Sequence, residues 1–133
     1  MTKRTALVTG ASKGIGLEIA RQLGQQDYRV WLGCRDRDRG DEAAAELEKE
    51  GIEAETLLLD VTDQISVDMA AEALGSQIEG LNALVNNAGM HKGYAGTVSN
   101  ESVEDMRTIF DVNAFGAVRV TQAFLRLLRA AEE

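Results

Sequence analysis

Between residues 5 and 24 the chain changes periodicity around three closely spaced glycines, and this change limits its possible folds more than any other feature. Thr5-Ala-Leu-Val-Thr9 is a short apolar, β-branched run of the kind that forms a buried strand. It stops at Gly10. The stretch Gly10-Ala-Ser-Lys-Gly14-Ile-Gly16 follows, and Ile15, Ile19, Ala20 and Leu23 recur at helical spacing up to Gly24. A strand that turns through glycines into a helix presents free N–H groups and a positive dipole end to an anion. In that setting Gly10 permits the sharp exit from the strand. Gly14 lets a phosphate approach the backbone, and Gly16 lets the helix pack closely on the sheet. Glycine spacing alone also fits an ordinary loop; the strand and helix on either side turn it towards a pyrophosphate. A P-loop is excluded, because the chain has no Gly-Lys-Ser or Gly-Lys-Thr triplet.

The rest of the chain repeats the alternation. Val30-Trp-Leu32 is a second short strand, residues 41–50 are strong helix formers stopped at Gly51, and Thr56–Leu59 is a third strand. Thr62–Ile78 reads as a helix with Thr62 or Asp63 as its N-cap, and Asn82–Asn86 as strand four. Residues 88–100 form a glycine-rich polar loop, and Glu101–Ala131 is helical with one break near Asn113. Continuous apolar strands alternating with helices predict an α/β fold, a parallel sheet covered on both faces, in one domain over residues 1–133.

Composition narrows the function classes. Net charge is −8, which disfavours nucleic acid and anionic lipid as partners. Residues 1–40 nevertheless carry 8 basic against 4 acidic groups, whereas the remainder carries 6 against 18. The basic part is the part that holds the glycine turn. A single cysteine, Cys34, excludes an internal disulfide, and with His91 as the sole histidine it excludes a zinc cluster. No apolar run approaches the roughly 18 residues of a membrane span, and the first residues offer no signal-peptide core, so a cytoplasmic protein is expected.

Four motifs in order then carry a resemblance. Thr9-Gly10-x-x-x-Gly14-Ile15-Gly16 resembles the nucleotide fingerprint of the short-chain dehydrogenases/reductases. Asn86-Asn87-Ala88-Gly89 at the end of strand four resembles that family's second signature. Asp60-Val61 after strand three matches the place where members hold adenine, and Asn113 in Asp-Val-Asn-Ala-Phe-Gly is similar to the helix asparagine of the catalytic set. The resemblance covers the whole chain but about the N-terminal half of a typical member. It implies a Rossmann-type, three-layer, doubly wound sheet of about four strands in the order 3-2-1-4. It also implies a dinucleotide site of Gly10, Ser12, Lys13, Gly14, Ile15, Gly16, Arg35, Asp60, Val61, Asn87, Ala88 and Gly89.

The resemblance bears on which dinucleotide is bound. In NAD-specific relatives an acidic residue ends strand two and binds the ribose diol. The matching position here is the neutral Cys34, followed by Arg35, with Lys13 just before Gly14. Members that prefer NADP resemble this arrangement, both cations gripping the 2′-phosphate. A charge-assisted contact of that kind contributes about 1.5–3 kcal/mol, so NADP(H) is expected over NAD(H) by tens of fold. Against this, Arg35, Arg37 and Arg39 also read as a solvated basic loop with Asp36 and Asp38 as counter-charges.

Family chemistry resembles a relay in which a Tyr donates the proton, a Lys four residues later lowers its pKa, and a Ser orients the carbonyl. Tyr28 is followed four residues on by Leu32, and Tyr94 by Val98, so neither can be that pair. Only Asn113 matches the catalytic set. Two readings therefore stand: an NADP-dependent carbonyl or alcohol oxidoreductase, inactive unless further chain completes it, or a nucleotide-binding half-domain with no chemistry. An interaction protein with a vestigial loop is disfavoured by the intact motifs. Val112, Phe115, Val118, Val120, Phe124, Leu125, Leu127 and Leu128 cover more than one stripe of the last helix. Strand four should also be an edge, so a homo-oligomer through either surface is expected. His91 and Lys92 read as loop residues, Trp31 as core packing, and Cys34 as a small filler beside the adenosine.

Overall fold

The computed structural model describes residues 3–89 and 102–131 of the 133. The strands are β1 (Thr5–Thr9), β2 (Arg29–Cys34), β3 (Ala54–Leu58) and β4 (Ala83–Val85). Between them lie α1 (Gly14–Gln25), α2 (Arg37–Lys49) and α3 (Gln64–Gly75). After β4 come α4 (Val103–Phe110), a π-helical turn (Asp111–Phe115) and α5 (Gly116–Ala130). All strand pairs are parallel, in the order β3-β2-β1-β4. Leu7 stands opposite both Trp31 and Leu84, and Leu32 opposite Thr56. The chain thus winds outwards from β1 in one direction and returns to its other side with β4. That reversal leaves a crevice at the carboxyl ends of β1 and β4.

Alternation along the strands divides the core into two layers. Leu7, Trp31 and Leu57 face α3 and α5 and pack with Val67, Leu74, Val120, Phe124 and Leu127. Ala6, Val8, Val30 and Leu32 face α1 and α2 and pack with Ala20, Ala43, Ala44 and Leu47. Burial of a side chain such as Phe124 contributes about 1.5–3 kcal/mol, so both faces hold helices against the sheet. This is the three-layer parallel architecture that the sequence predicts, and Trp31 is core packing as expected.

Several boundaries and exposures differ from expectation. The second helix starts at Arg37 rather than at 41, because the Asp36 side chain accepts from the Asp38 and Arg39 amides and caps it. Arg37 and Arg39 therefore belong to a helix and not to a loop. Asp63 caps α3, whereas Thr62 is engaged by Asp60. Strand three is an edge strand, and it runs Ala54–Leu58 with Leu58 44% exposed instead of being a uniformly buried run. Ile15 does not join the core stripe of α1: in the first turn it points outwards, 76% exposed, and Ala20 is the fully buried member. On the last helices Val120, Phe124 and Leu127 are buried, while Phe110, Phe115 and Val118 are exposed. The segment expected as a loop over residues 88–100, with His91, Lys92 and Tyr94, lies from residue 90 onwards outside the described residues.

Candidate functional site

The crevice is assembled around the Thr9 hydroxyl. Its oxygen accepts the amides of Asn87 at 3.0 Å and Ala88 at 2.9 Å, and it donates to the Val85 carbonyl at 3.4 Å. Asn87 Nδ2 donates in turn to the Gly10 carbonyl at 3.2 Å. The glycine turn after β1 and the Asn86–Gly89 turn after β4 are thereby locked together. No side chain fits between them: a Cβ on Gly10 would stand 2.8 Å from Ala88 Cα, and one on Gly16 2.2 Å from the Gly10 carbonyl oxygen. Gly16 thus seats α1 against the crevice floor, and the close packing inferred from the sequence is contact with Gly10 and Asn87.

Gly14 is different. Its φ of +60° and the +62° of Gly10 lie in the left-handed region that favours glycine, but a Cβ on Gly14 would meet nothing within 4 Å. The backbone there borders open space. Lys13 occupies the N-cap of α1 without a side-chain cap, and the first turn holds no acid, unlike α2 with Asp36 and Asp38. The amides at the start of α1 are therefore left to an outside acceptor, with Ser12 half-buried beside them. Lys13 and Arg35 are exposed, and neither forms an ion pair with a described residue. Arg39, by contrast, pairs with Asp36 at 3.7 Å.

Cys34 closes β2 and is buried, 5% exposed, its Sγ donating towards the Asp36 carbonyl at 3.5 Å. Burial first, and the Asp41 carboxylate second, push its thiol pKa up, outweighing Arg37. The position is a neutral thiol at ordinary pH. In the loop after β3, Asp60 Oδ1 accepts from the Thr62 amide at 3.0 Å and its hydroxyl at 2.7 Å. The Asp60 amide donates to Ser66 Oγ at 2.9 Å, and Val61 is buried beneath.

Asn113 lies midway along the π-turn, so the break expected near it is a widened turn rather than a loop. A Cβ on Gly89 would stand 3.2 Å from Asn113 Oδ1, which places the asparagine at the edge of the Asn86–Gly89 turn. Glycine turn, Asn87–Gly89 and Asn113 therefore form one contiguous surface, with Arg35 and Asp60–Val61 beyond the carboxyl ends of β2 and β3. Thr9 stands in the sequence as the first residue of the glycine motif, without a sign that its hydroxyl joins the two turns. Arg119, which bonds the Val61 and Asp111 carbonyls, carried no signal at all.

Residues 4–133 match the family described as short chain dehydrogenase. The bovine mitochondrial D-beta-hydroxybutyrate dehydrogenase is 37% identical over 134 residues, 97% of this chain and 38% of that protein. The (+)-neomenthol dehydrogenase of Arabidopsis thaliana is 37% identical over 151 residues, 98% of this chain and 51% of that protein. The chain thus spans about half or less of the length of these relatives. Among solved structures, NADPH-bound carbonyl reductase from chicken fatty liver superposes with a TM-score of 0.86 at 34% identity, covering 98% of this chain and 54% of that one. The F189W actinorhodin polyketide ketoreductase with NADPH gives 0.86 at 34% identity over 94% of this chain and 47% of that one.

Proposed function

The chain belongs to the short-chain dehydrogenase family, and on that premise we propose that its 133 residues form an NADP(H)-binding half-site of a carbonyl or alcohol oxidoreductase. The observation that carries the proposal is a pair of cations with no ion-pair partner among the described residues: Lys13 at the uncapped N-terminus of α1, and Arg35 directly after the neutral Cys34 at the end of β2. An acidic group at that strand end would repel a 2′-phosphate; a protonated thiol does not. The open space at Gly14 gives room for a phosphate against the backbone. NADPH bound in the carbonyl reductase and the ketoreductase of similar fold supports the same reading.

In this reading Gly10, Ser12, Gly14, Ile15 and Gly16 hold the pyrophosphate side, and Lys13 with Arg35 holds the 2′-phosphate. Asp60 and Val61 flank the adenine. Asn87, Ala88 and Gly89 line the nicotinamide half, and Asn113 holds a water there. The dinucleotide supplies hydride chemistry when bound. The protein's part is position: Thr9 and Asn87 fix the two turns, and Asp60 is held by Thr62 and Ser66.

No Tyr-x-x-x-Lys for proton transfer occurs in the 133 residues, and none of the family motifs matched here carries its serine. Turnover by these residues alone is accordingly not expected, and a carbonyl substrate is acted on once further chain supplies them. The non-catalytic binding module is the second reading, favoured by that same sequence observation. Exposed Phe110, Phe115 and Val118, with the half-buried edge strand β4, support self-association through the last helices or through β4. No described helix is long and apolar enough to cross a membrane; a cytoplasmic location is part of the proposal.

The test is Arg35→Ala. NADPH affinity should fall about tenfold or more, from the 1.5–3 kcal/mol of a charged hydrogen bond, with NADH affinity nearly unchanged. Equal loss for both cofactors would refute the assignment.

A further inference from the structure

We infer that Arg119 is a positioning residue that ties the turn carrying Asn113 to the Asp60–Val61 loop, so that the two ends of the dinucleotide site hold one geometry. The inference rests on the reading of that site given above. Its basis is one guanidinium that serves two segments at once. From α5, Arg119 Nη1 donates to the Val61 carbonyl at 3.1 Å and to the Asp111 carbonyl at 3.4 Å, and Nη2 pairs with the Asp111 carboxylate.

Asp111 opens the π-turn, and its carbonyl also accepts the Gly116 amide, the bond that closes the turn around Asn113. In an α-helix that carbonyl would be bonded four residues on. Here it accepts both the Gly116 amide and Arg119 Nη1. Close packing reinforces the joint, since a Cβ on Gly116 would stand 2.8 Å from Val61 Cγ2. The Arg119 side chain is three-quarters shielded from solvent. A planar fork of fixed donors can bridge acceptors on two segments at once; a lysine ammonium on a flexible stem fits that geometry poorly. Val61 O is the point where the adenine-side loop meets this fork. A shift of the loop is therefore carried to the turn that sets Asn113 against Gly89.

The experiment is amide hydrogen exchange, followed by NMR, on the wild-type chain, Arg119→Ala and Arg119→Lys, each with and without 2′,5′-ADP. That probe is the adenine half alone and carries no nicotinamide. In the unliganded chain Arg119→Ala should speed exchange at least tenfold at Gly116 and at Thr62–Asp63 together, with β1 and β2 amides unchanged. Arg119→Lys should restore part of this protection. In the wild type 2′,5′-ADP should slow the Gly116 amide, and Arg119→Ala should abolish that effect while the probe still binds within about threefold.

A uniform rise across β1 and β2, a rise at only one of the two segments, or Gly116 slowing that survives in Arg119→Ala would each overturn the inference. Failure of 2′,5′-ADP and NADPH to bind the wild type would instead overturn the proposed function. The unliganded comparison would then decide on Arg119 by itself.

Discussion

Replacing Gly16 with alanine adds one methyl group, and the structure states what it meets. The new Cβ would stand 2.2 Å from the Gly10 carbonyl oxygen and 2.5 Å from Asn87 Nδ2. Ordinary contacts begin near 3.4 Å, so α1 or the glycine turn must move by more than 1 Å. Neither obstacle is a flexible side-chain end: one is backbone, and the other is held by the bond from Asn87 to Gly10 at 3.2 Å. Overpacking of this kind costs about 1–3 kcal/mol, and loss of the Asn87 bond adds about 1 kcal/mol. A chain of this size should lose on the order of 6–15 °C in melting temperature. Gly14→Ala is the control. Its φ of +60° imposes about 1–2 kcal/mol of left-handed strain, but its Cβ meets nothing within 4 Å. Thermal denaturation of both variants, with NADPH affinity measured at 15 °C, separates the effects. Gly16→Ala should be the less stable of the two. A Gly16→Ala variant melting within 2 °C of the wild type would refute the packing argument.

Three other perturbations follow from the geometry. Thr9→Val keeps the shape but leaves the Ala88 amide without its acceptor, so unfolding by denaturant should reveal a loss of about 1–3 kcal/mol; an unchanged midpoint would contradict the hub assigned to this hydroxyl. Asp36→Ala removes the cap of α2 and should cost about 1 kcal/mol, read as lost protection at the Asp38 and Arg39 amides. Cys34 has a raised pKa, so its stabilising effect relative to Cys34→Ala is whole below about pH 8.5, the pKa of an exposed thiol. It is lost as pH rises through the higher folded value, and iodoacetamide should label the native thiol at pH 8 far more slowly than the unfolded chain.

Much of this was legible in the residues, for identifiable reasons. Short apolar runs between helices dictate parallel strands, and the glycine turn marks the end of β1, so β1, α1 and the crevice could be read directly. The order of strands needed the family resemblance. What periodicity could not supply was direction at element ends. Ile15 matches the core stripe by spacing, yet it is 76% exposed, and in the first turn of α1 it is Gly16 that packs inward, against Gly10 and Asn87. Asp36 resembles a counter-charge in a run of arginines, and only the backbone geometry makes it a helix cap. Arg119 bonds Val61 across 58 positions, a contact that no local pattern encodes.

The most direct measurement is calorimetric titration of the folded wild-type chain with NADPH and, separately, with NADH. Saturable NADPH binding at least tens of fold tighter than NADH is expected, since Lys13 and Arg35 have no ion-pair partner among the described residues. Equal affinity for the two, or binding of neither, would contradict the central claim that this crevice is an NADP(H) half-site.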